Sequence, residues 1–352
     1  MHTQSNFRLL VVRLGSMGDI LHALPAVTAL RLAHPEWVID WVVEPRWRAL
    51  VAAEGSTGRG PAQPLVDHLH LAPTKDWGKA PLSRKTLHEI KALRRALRAG
   101  GYDAVLDLQG AIRSAVVARL AGSRRVIGEA EPRERAARWL FTERITTRGA
   151  HVIEQDVELA AAVAGDALTP AKPWLPIDPA AEAWADKVLP REAGQPAVLI
   201  NPGAGWGAKR WPVERYSAVA QALISRGLRV LVNTGPGEGP LAEGILQTVA
   251  AVITLTCSLG QLIAVTRRVA LVIAGDTGPL HLACALGRPV VGIYGPTDPS
   301  RNGPFGTRFK VLRSPESRRD HTRHQAPEAG LLTIQPEDVL RAASELLAQE
   351  NA

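Results

Sequence analysis

The sequence predicts an α/β protein made of two doubly wound, Rossmann-like halves. Three observations carry that prediction. Phe7 to Arg13 is a short β-rich run that leads through Leu14-Gly15-Ser16-Met17-Gly18-Asp19 into Ile20 to Leu32, which has helical apolar spacing. Ala270 to Tyr294 repeats the plan: an apolar run to Ala274, the loop Gly275-Asp276-Thr277-Gly278, a helix-compatible stretch from Pro279 to Leu286, and a second apolar run from Val290. Between these, Pro170, Pro173, Pro176, Pro179, Pro190 and Pro196 punctuate the chain. Strand, glycine-bearing loop and helix in that order open a doubly wound half. A proline-rich stretch is where two such halves separate.

The first half continues with Val38 to Glu44, a buried strand ending in a carboxylate, and with a third strand from Val66 to Leu71. Thr74 to Lys85 reads as a polar, basic loop and Thr86 to Arg98 as an amphipathic basic helix. Asp103 to Leu108 is a fourth strand, ending at Asp107-Leu108-Gln109-Gly110, with a helix from Ala111 to Leu120. A short strand, Arg124 to Gly128, an Arg-rich helix, Arg133 to Phe141, and a helix, His151 to Val163, complete it. Strands that alternate with helical patterns imply a parallel sheet. A short helix is expected around Ala180 to Val188. The second half opens with the strand Ala197 to Asn201, the loop Pro202 to Ala208, Lys209-Arg210-Trp211-Pro212 and a helix to about Arg226. Then come a strand, Leu228 to Asn233, a loop, Thr234 to Gly239, and helices at Leu241 to Ala251 and Ser258 to Val265. Gln335 to Gln349 closes the chain as a helix, with Pro336 near its start and two acids in its first turn. The expected organisation is a first domain over 1–172, a linker over 173–195, a second domain over 196–335 and a terminal helix over 336–352.

A chain of 352 residues exceeds one typical core. Its 46% hydrophobic and 22% charged residues are those of a soluble globular protein. No apolar stretch approaches the roughly 20 residues of a membrane span, and the N-terminus reads as a first strand rather than a signal peptide. Two cysteines, Cys257 and Cys284, argue against a disulfide framework and a cysteine zinc site, so the cytosol is the expected compartment. The net charge of +8 is unevenly spread: Lys75 to Arg98 holds eight Lys/Arg against two acids, and Arg113 to Arg148 nine Arg against four Glu. Such clusters suit nucleic acid, an anionic membrane or a phosphorylated substrate, or are solvated helix faces. With no ribonucleoprotein aromatic motif, zinc finger or recognition helix, lipid ranks above nucleic acid.

The loop before Asp19 is not G-x-G-x-x-G, which disfavours a dehydrogenase. It instead places a carboxylate where open α/β sheets bind ligands. The helix after Thr277 offers unpaired N–H groups and a positive dipole end to phosphate, with the Thr277 hydroxyl and the His281 imidazole beside it. An ordinary helix capped by Asp276 or Thr277 is the alternative. The loops Asn201 to Lys209, Asn233 to Glu238 and Gly275 to His281 together supply amides, an ammonium, a carboxylate and an imidazole. That inventory fits a nucleoside diphosphate, with Lys209 on the phosphates and Glu238 on the ribose. Two halves facing a central cleft, with Asp19 on one side, give a sugar-nucleotide glycosyltransferase its needs: a base for the acceptor hydroxyl and positive potential for the departing diphosphate. No Asp-x-Asp ends a strand of the second half, so no metal is expected.

The segments SMGDILHALPAV, DWVVE, DLQG, KRWP, DTGPLHLACALGRPVVGIYGPTDP and RRDHTRH resemble those of the lipopolysaccharide heptosyltransferases, glycosyltransferase family 9, most closely the heptosyltransferase I group, from about Leu9 to His324. The resemblance implies a GT-B fold and inverting transfer of L-glycero-D-manno-heptose from ADP-heptose to Kdo of Kdo2-lipid A in inner-core biosynthesis, without a cofactor. It implies Asp19 as general base. Lys209, Asp276, Thr277, Gly278 and His281 match donor contacts, with Ala204 and Gly205 on the phosphate loop, Glu238 at the ribose and Cys257 at the adenine. Ser16, Gly18, Arg113, Arg124 and Arg133 are the acceptor-side candidates. Asn201-Pro202-Gly203-Ala204-Gly205 is more like the heptosyltransferase II loop, which leaves heptosyl-Kdo2-lipid A as an alternative acceptor. A GT-B sugar-nucleotide epimerase and a non-catalytic nucleotide-binding partner of an envelope assembly are the other readings. The expected place is the cytoplasmic face of the inner membrane, held peripherally through the basic first half, with no nucleic-acid partner.

Overall fold

The computed structural model describes residues 6–190, 194–317 and 324–349. It divides into two compact units, Met1–Asp178 and Pro179–Ala352. The first holds a six-stranded sheet of β1 (Arg8–Val12), β2 (Val38–Val43), β3 (His68–Leu71), β4 (Ala104–Asp107), β5 (Arg125–Glu129) and β6 (Glu143–Ile145), ordered β3-β2-β1-β4-β5-β6 and parallel throughout. Its helices are α1 (Met17–Ala33), α2 (Thr74–Lys79), α3 (Arg84–Gly100), α4 (Ile112–Leu120) and α5 (Val152–Ala164). Leu9 to Val12 are wholly buried, as strands covered by helices on both faces must be. Helix α1 is apolar almost all round and packs along α5. Helix α3 is the opposite case: Thr86, Leu93 and Leu97 face inward, and its cations are exposed.

The second unit holds β7 (Ala197–Asn201), β8 (Arg229–Asn233), β9 (Ile253–Leu255), β10 (Leu271–Gly275), β11 (Val290–Tyr294) and β12 (Phe309–Arg313), ordered β12-β11-β10-β7-β8-β9, again all parallel. Its helices are α6 (Pro179–Val188), α7 (Val213–Ser225), α8 (Gly239–Thr248), α9 (Leu259–Thr266), α10 (Gly278–Ala285), α11 (Pro299–Asn302) and α12 (Pro336–Ala348). Both sheets therefore reverse their winding once, between β1 and β4 in one unit and between β7 and β10 in the other. Those reversals are where doubly wound sheets bind ligands, beyond the carboxyl ends of the strands.

Several expectations are corrected. Thr74 to Lys85 is no loop throughout, because Trp77 is buried and anchors α2 over Thr74–Lys79. Arg133 to Phe141 forms a short 3-10 helix of about two turns, Arg135–Leu140, rather than an α-helix. The stretch 173–195 does not behave as a linker along its length. Its start is tied to the first unit by Trp174 N to Thr28 Oγ1 and Ile177 N to Pro61 O, at 3.4 and 2.8 Å. Helix α6 belongs to the second unit, where Glu182 and Asp186 hold Arg267 and Arg268 at the end of α9. The expected terminal helix, seen as α12, is not a separate appendage either. Val339, Ala342, Ala343 and Leu346 of α12 lie in one core with Val198 and Ile200 of β7. The short strands β6, β9 and β12 had no sequence expectation.

Candidate active site

At the reversal of the second sheet, the loops after β7 and β10 bring together residues 67 positions apart in the chain. Lys209 Nζ makes a short ion pair with Asp276 Oδ2. Asp276 Oδ1 lies 3.4 Å from His281 Nε2, one turn into α10. The Lys209 ammonium also sits 4.2 Å from the centroid of the Trp206 ring, a cation–π contact that sequence reading missed. Burial alone would raise the Asp276 carboxyl, but the His281 hydrogen bond and the Lys209 ammonium outweigh it and hold the group well below the usual carboxylate range. A fixed carboxylate thus orients one ammonium and one imidazole at the first turn of α10. Thr277 is the N-cap, and Gly278 is the first helical residue. The Thr277 hydroxyl donates to Gly275 O at 3.2 Å instead of accepting from the helix, so capping is not its use here.

The loop bearing Lys209 is braced from below. A Cβ on Gly207 would collide with the backbone of Gln325, so the loop runs against the segment at 324–328. Ala208 N donates to His324 O at 3.0 Å and Glu328 N to Ala208 O at 3.2 Å. Residues 318–323, most of the RRDHTRH segment, lie outside the described residues. Ala204 is buried and Gly205 exposed. The loops after β7 and β8 meet through Asn233 Nδ2, which donates to Asn201 Oδ1 at 2.8 Å. Cys257 Sγ lies 3.5 Å from Asn233 Oδ1. Burial pushes the Cys257 thiol up to about 11, so it is a neutral wall and not a nucleophile. Glu238 takes the Gly235 N–H at 2.9 Å and packs so closely on Gly203 that a side chain there would strike its carboxylate. Lys209, Asp276, Thr277, Gly278 and His281 thus form one cluster, while Glu238 and Cys257 stand on the loops after the neighbouring strands β8 and β9.

At the reversal of the first sheet, Asp19 is the third residue of α1. Its Oδ2 accepts from Ser16 N at 2.8 Å and Ser16 Oγ at 3.2 Å, so carboxylate and N-cap hold each other. Its side chain is still 33% exposed. Gln109 fixes the neighbouring loop by accepting from Leu14 N at 2.7 Å. Ser16 is exposed and Gly18 half-buried in the same turn. Arg113, in the first turn of α4, and Arg133, whose backbone packs on Gly110, are exposed at this edge of the sheet. Arg124 is not. It precedes β5, and the parallel register of β5 with β4 places it at the opposite edge, beside Ser123, which bonds Asp103 O at 3.1 Å. Arg124 is removed from the Asp19 group.

A buried ammonium–carboxylate–imidazole cluster at one sheet reversal and a half-exposed carboxylate at the other define a nucleotide-sugar glycosyltransferase with two Rossmann-like units. Comparison with known proteins narrows the class. Residues 90–331 match glycosyltransferase family 9 (heptosyltransferase). The chain is 33% identical over 319 residues to lipopolysaccharide heptosyltransferase 1 of Escherichia coli K12, covering 88% of this chain and 94% of that protein. The structure of E. coli heptosyltransferase WaaC with ADP matches with a TM-score of 0.80 at 29% identity, over 97% of this chain and 100% of that one. E. coli ADP-heptose lps heptosyltransferase II shares the fold, with a TM-score of 0.77 at 23% identity over 98% and 100% of the two chains. The chain belongs to glycosyltransferase family 9, the heptosyltransferases, and has their GT-B fold.

Proposed function

We propose that this heptosyltransferase moves L-glycero-D-manno-heptose from ADP-heptose to Kdo of Kdo2-lipid A in lipopolysaccharide inner-core assembly. The observation that supports this reading is the Lys209–Asp276–His281 cluster at the start of α10, whose ammonium, imidazole and helix N–H groups suit a diphosphate. The relative at 33% identity bears the name lipopolysaccharide heptosyltransferase 1, and solved forms of WaaC hold ADP and ADP-2-deoxy-2-fluoro heptose. Asp19 takes the proton of the acceptor hydroxyl as that oxygen attacks the anomeric carbon. Lys209 and the α10 amides stabilise the charge on the departing ADP, with His281 held by Asp276 as a further donor. Glu238 binds the ribose, Cys257 borders the adenine, and Ala204 and Gly205 offer main-chain N–H groups to the phosphates. Ser16, Gly18, Arg113 and Arg133 take the anionic acceptor.

The loop Asn201 to Gly205 favours a second acceptor, heptosyl-Kdo2-lipid A, because it lacks the hydroxyl side chains of the heptosyltransferase I group. ADP release from ADP-heptose, measured side by side with Kdo2-lipid A and its heptosylated form, separates the two. Turnover with Kdo2-lipid A is the expected result; turnover with the heptosylated acceptor alone assigns the second step. The acceptor's lipid brings the enzyme to a membrane. Six exposed cations of α3 (Arg84, Lys85, Lys91, Arg94, Arg95 and Arg98) surround Leu87, and Leu82 precedes them at 86% exposure. These residues support peripheral docking on an anionic inner leaflet, each cation contributing on the order of 1 kcal/mol.

A further inference from the structure

The first unit buries a group of charges that the transfer chemistry leaves unused. Arg13, which follows β1, is 5% exposed. Its Nε donates to the Asp19 carbonyl at 3.0 Å, and a terminal nitrogen lies 3.8 Å from Asp19 Oδ1. Two more buried carboxyls stand close to this guanidinium: Asp107, which ends β4 and pairs in register with Val12, the residue before Arg13, and Asp156 of α5, the helix that packs on α1 and β4; both feel the Arg13 charge. Asp107 Oδ1 accepts from Gln109 N and Gly110 N, each at 2.8 Å. In both acids Oδ2 is buried without a hydrogen-bond partner among the described residues. Burial pushes Asp107 up to about 6 and Asp156 up to about 7. Arg13 pulls both down, while the Asp19, Glu129 and Asp107 charges push Asp156 further up. Where α1 packs on α5, His22 and the α5 N-cap His151 meet edge to face, with centroids 5.7 Å apart.

One guanidinium shared by three carboxyls is a balance. While the two buried acids are neutral, the Arg13 charge falls to Asp19 alone. As they ionise, they divide its attraction and place negative charge beside Asp19. We propose that Arg13 is a positioning residue for Asp19, and that the buried carboxyls of Asp107 and Asp156 set how firmly it holds that carboxylate. The inference rests on Asp19 being the base. With Asp156 neutral, Asp19 is clamped to Arg13 and poorly placed to take a proton. With Asp156 ionised, Asp19 is released to the acceptor hydroxyl.

The test is kcat against pH for wild type, Asp156→Asn, Asp107→Asn and Arg13→Lys, with the ADP Kd of each. Wild-type kcat is expected to rise through a step near pH 7, where Asp156 ionises. Asp156→Asn, the shape of the neutral acid, loses that step and stays about tenfold below wild type on the alkaline side. Asp107→Asn removes a component near pH 6 and stands in should Asp156→Asn fail to fold. Arg13→Lys keeps the charge that grips the carboxylate but loses the Nε bond that fixes the Asp19 main chain, so the released carboxylate is less well aimed and kcat falls about tenfold with ADP affinity unchanged. An Asp-to-Asn profile that keeps the wild-type step, or a wild-type kcat in Arg13→Lys, overturns the proposal. An active Asp19→Asn variant removes the base itself; an inactive one beside unshifted Asp156→Asn and Asp107→Asn profiles sinks only the coupling.

Discussion

At the scale of single residues, the candidate site of the second unit is built on one buried ion pair. Lys209 has Asp276 as partner and Trp206 as floor, so its ammonium is fixed before any nucleotide arrives. Such preorganisation is why its loss should cost more than one hydrogen bond. Lys209→Met is expected to weaken ADP binding at least about tenfold by calorimetry. It leaves Asp276 buried without its cation, and an unchanged Kd would remove Lys209 from the phosphate site. Cys257 gives a prediction of the opposite kind. Its thiol, raised to about 11 by burial, carries almost no thiolate at neutral pH. Iodoacetamide at neutral pH should therefore leave it unlabelled and activity intact, as intact-mass measurement would show. Rapid alkylation at Cys257 would mean an open, reactive thiol. Asp276, Thr277 and His281 were legible in the sequence because they follow an apolar run and open a helix. The Trp206 and Arg13 contacts were not, since a tryptophan in a loop and an arginine at a strand end announce no partner.

At the scale of elements, the first unit joins its strands through buried polar groups with opposite pH behaviour. Asp40 of β2 accepts from Tyr102 Oη at 2.6 Å and faces His68 Nδ1 at 3.0 Å on β3. Burial pushes Asp40 up, but hydrogen bonds with His70, Tyr102 and His68 bring it below its ordinary value. Its contribution to stability is thus present above the unfolded value and lost as pH falls through the folded one. Tyr102→Phe should cost about 1–3 kcal/mol in urea unfolding, because a buried carboxylate oxygen loses its donor. Asp107 and Asp156 run the other way. Their folded values, about 6 and about 7, lie above the ordinary carboxylate value, so their contribution is full below that value and lost as pH rises through 6 to 7. Asp156→Asn should therefore raise Tm on the alkaline side of neutrality and change it little in mild acid. A lower Tm at alkaline pH would contradict a strained, ionised Asp156. Long apolar runs such as Leu9–Val12 and Leu271–Gly275 made the central strands readable from sequence. Two of the edge strands were not: Glu143–Ile145 and Ile253–Leu255 are three residues each, too short for any period to show, whereas the edge strand His68–Leu71 lies within the expected Val66 to Leu71. Helix α6 was expected, but its ownership by the second unit depends on Arg267 and Arg268, more than 80 residues away in sequence.

At the scale of the whole molecule, two units wound in the same strand order carry the two parts of the proposed chemistry, the Asp19 carboxylate on one and the Lys209–Asp276–His281 cluster on the other. Charge is divided as well, with the basic, leucine-bearing face of α3 belonging to the first unit. Binding to acidic vesicles should be reversible and weaken steeply with added salt, since exposed cations are screened beyond about 10 Å at 0.1 M ionic strength. Sedimentation with such vesicles would reveal it, and salt-insensitive binding, or none, would count against the α3 face. The division of labour is tested most directly by Asp19→Asn, with heptose transfer and ADP affinity measured on the same preparation. Transfer is expected to fall by at least about a hundredfold, with the ADP Kd unchanged because no donor contact has been touched. Turnover near that of the wild type would leave Asp19 as nothing more than a partner of the Ser16 cap.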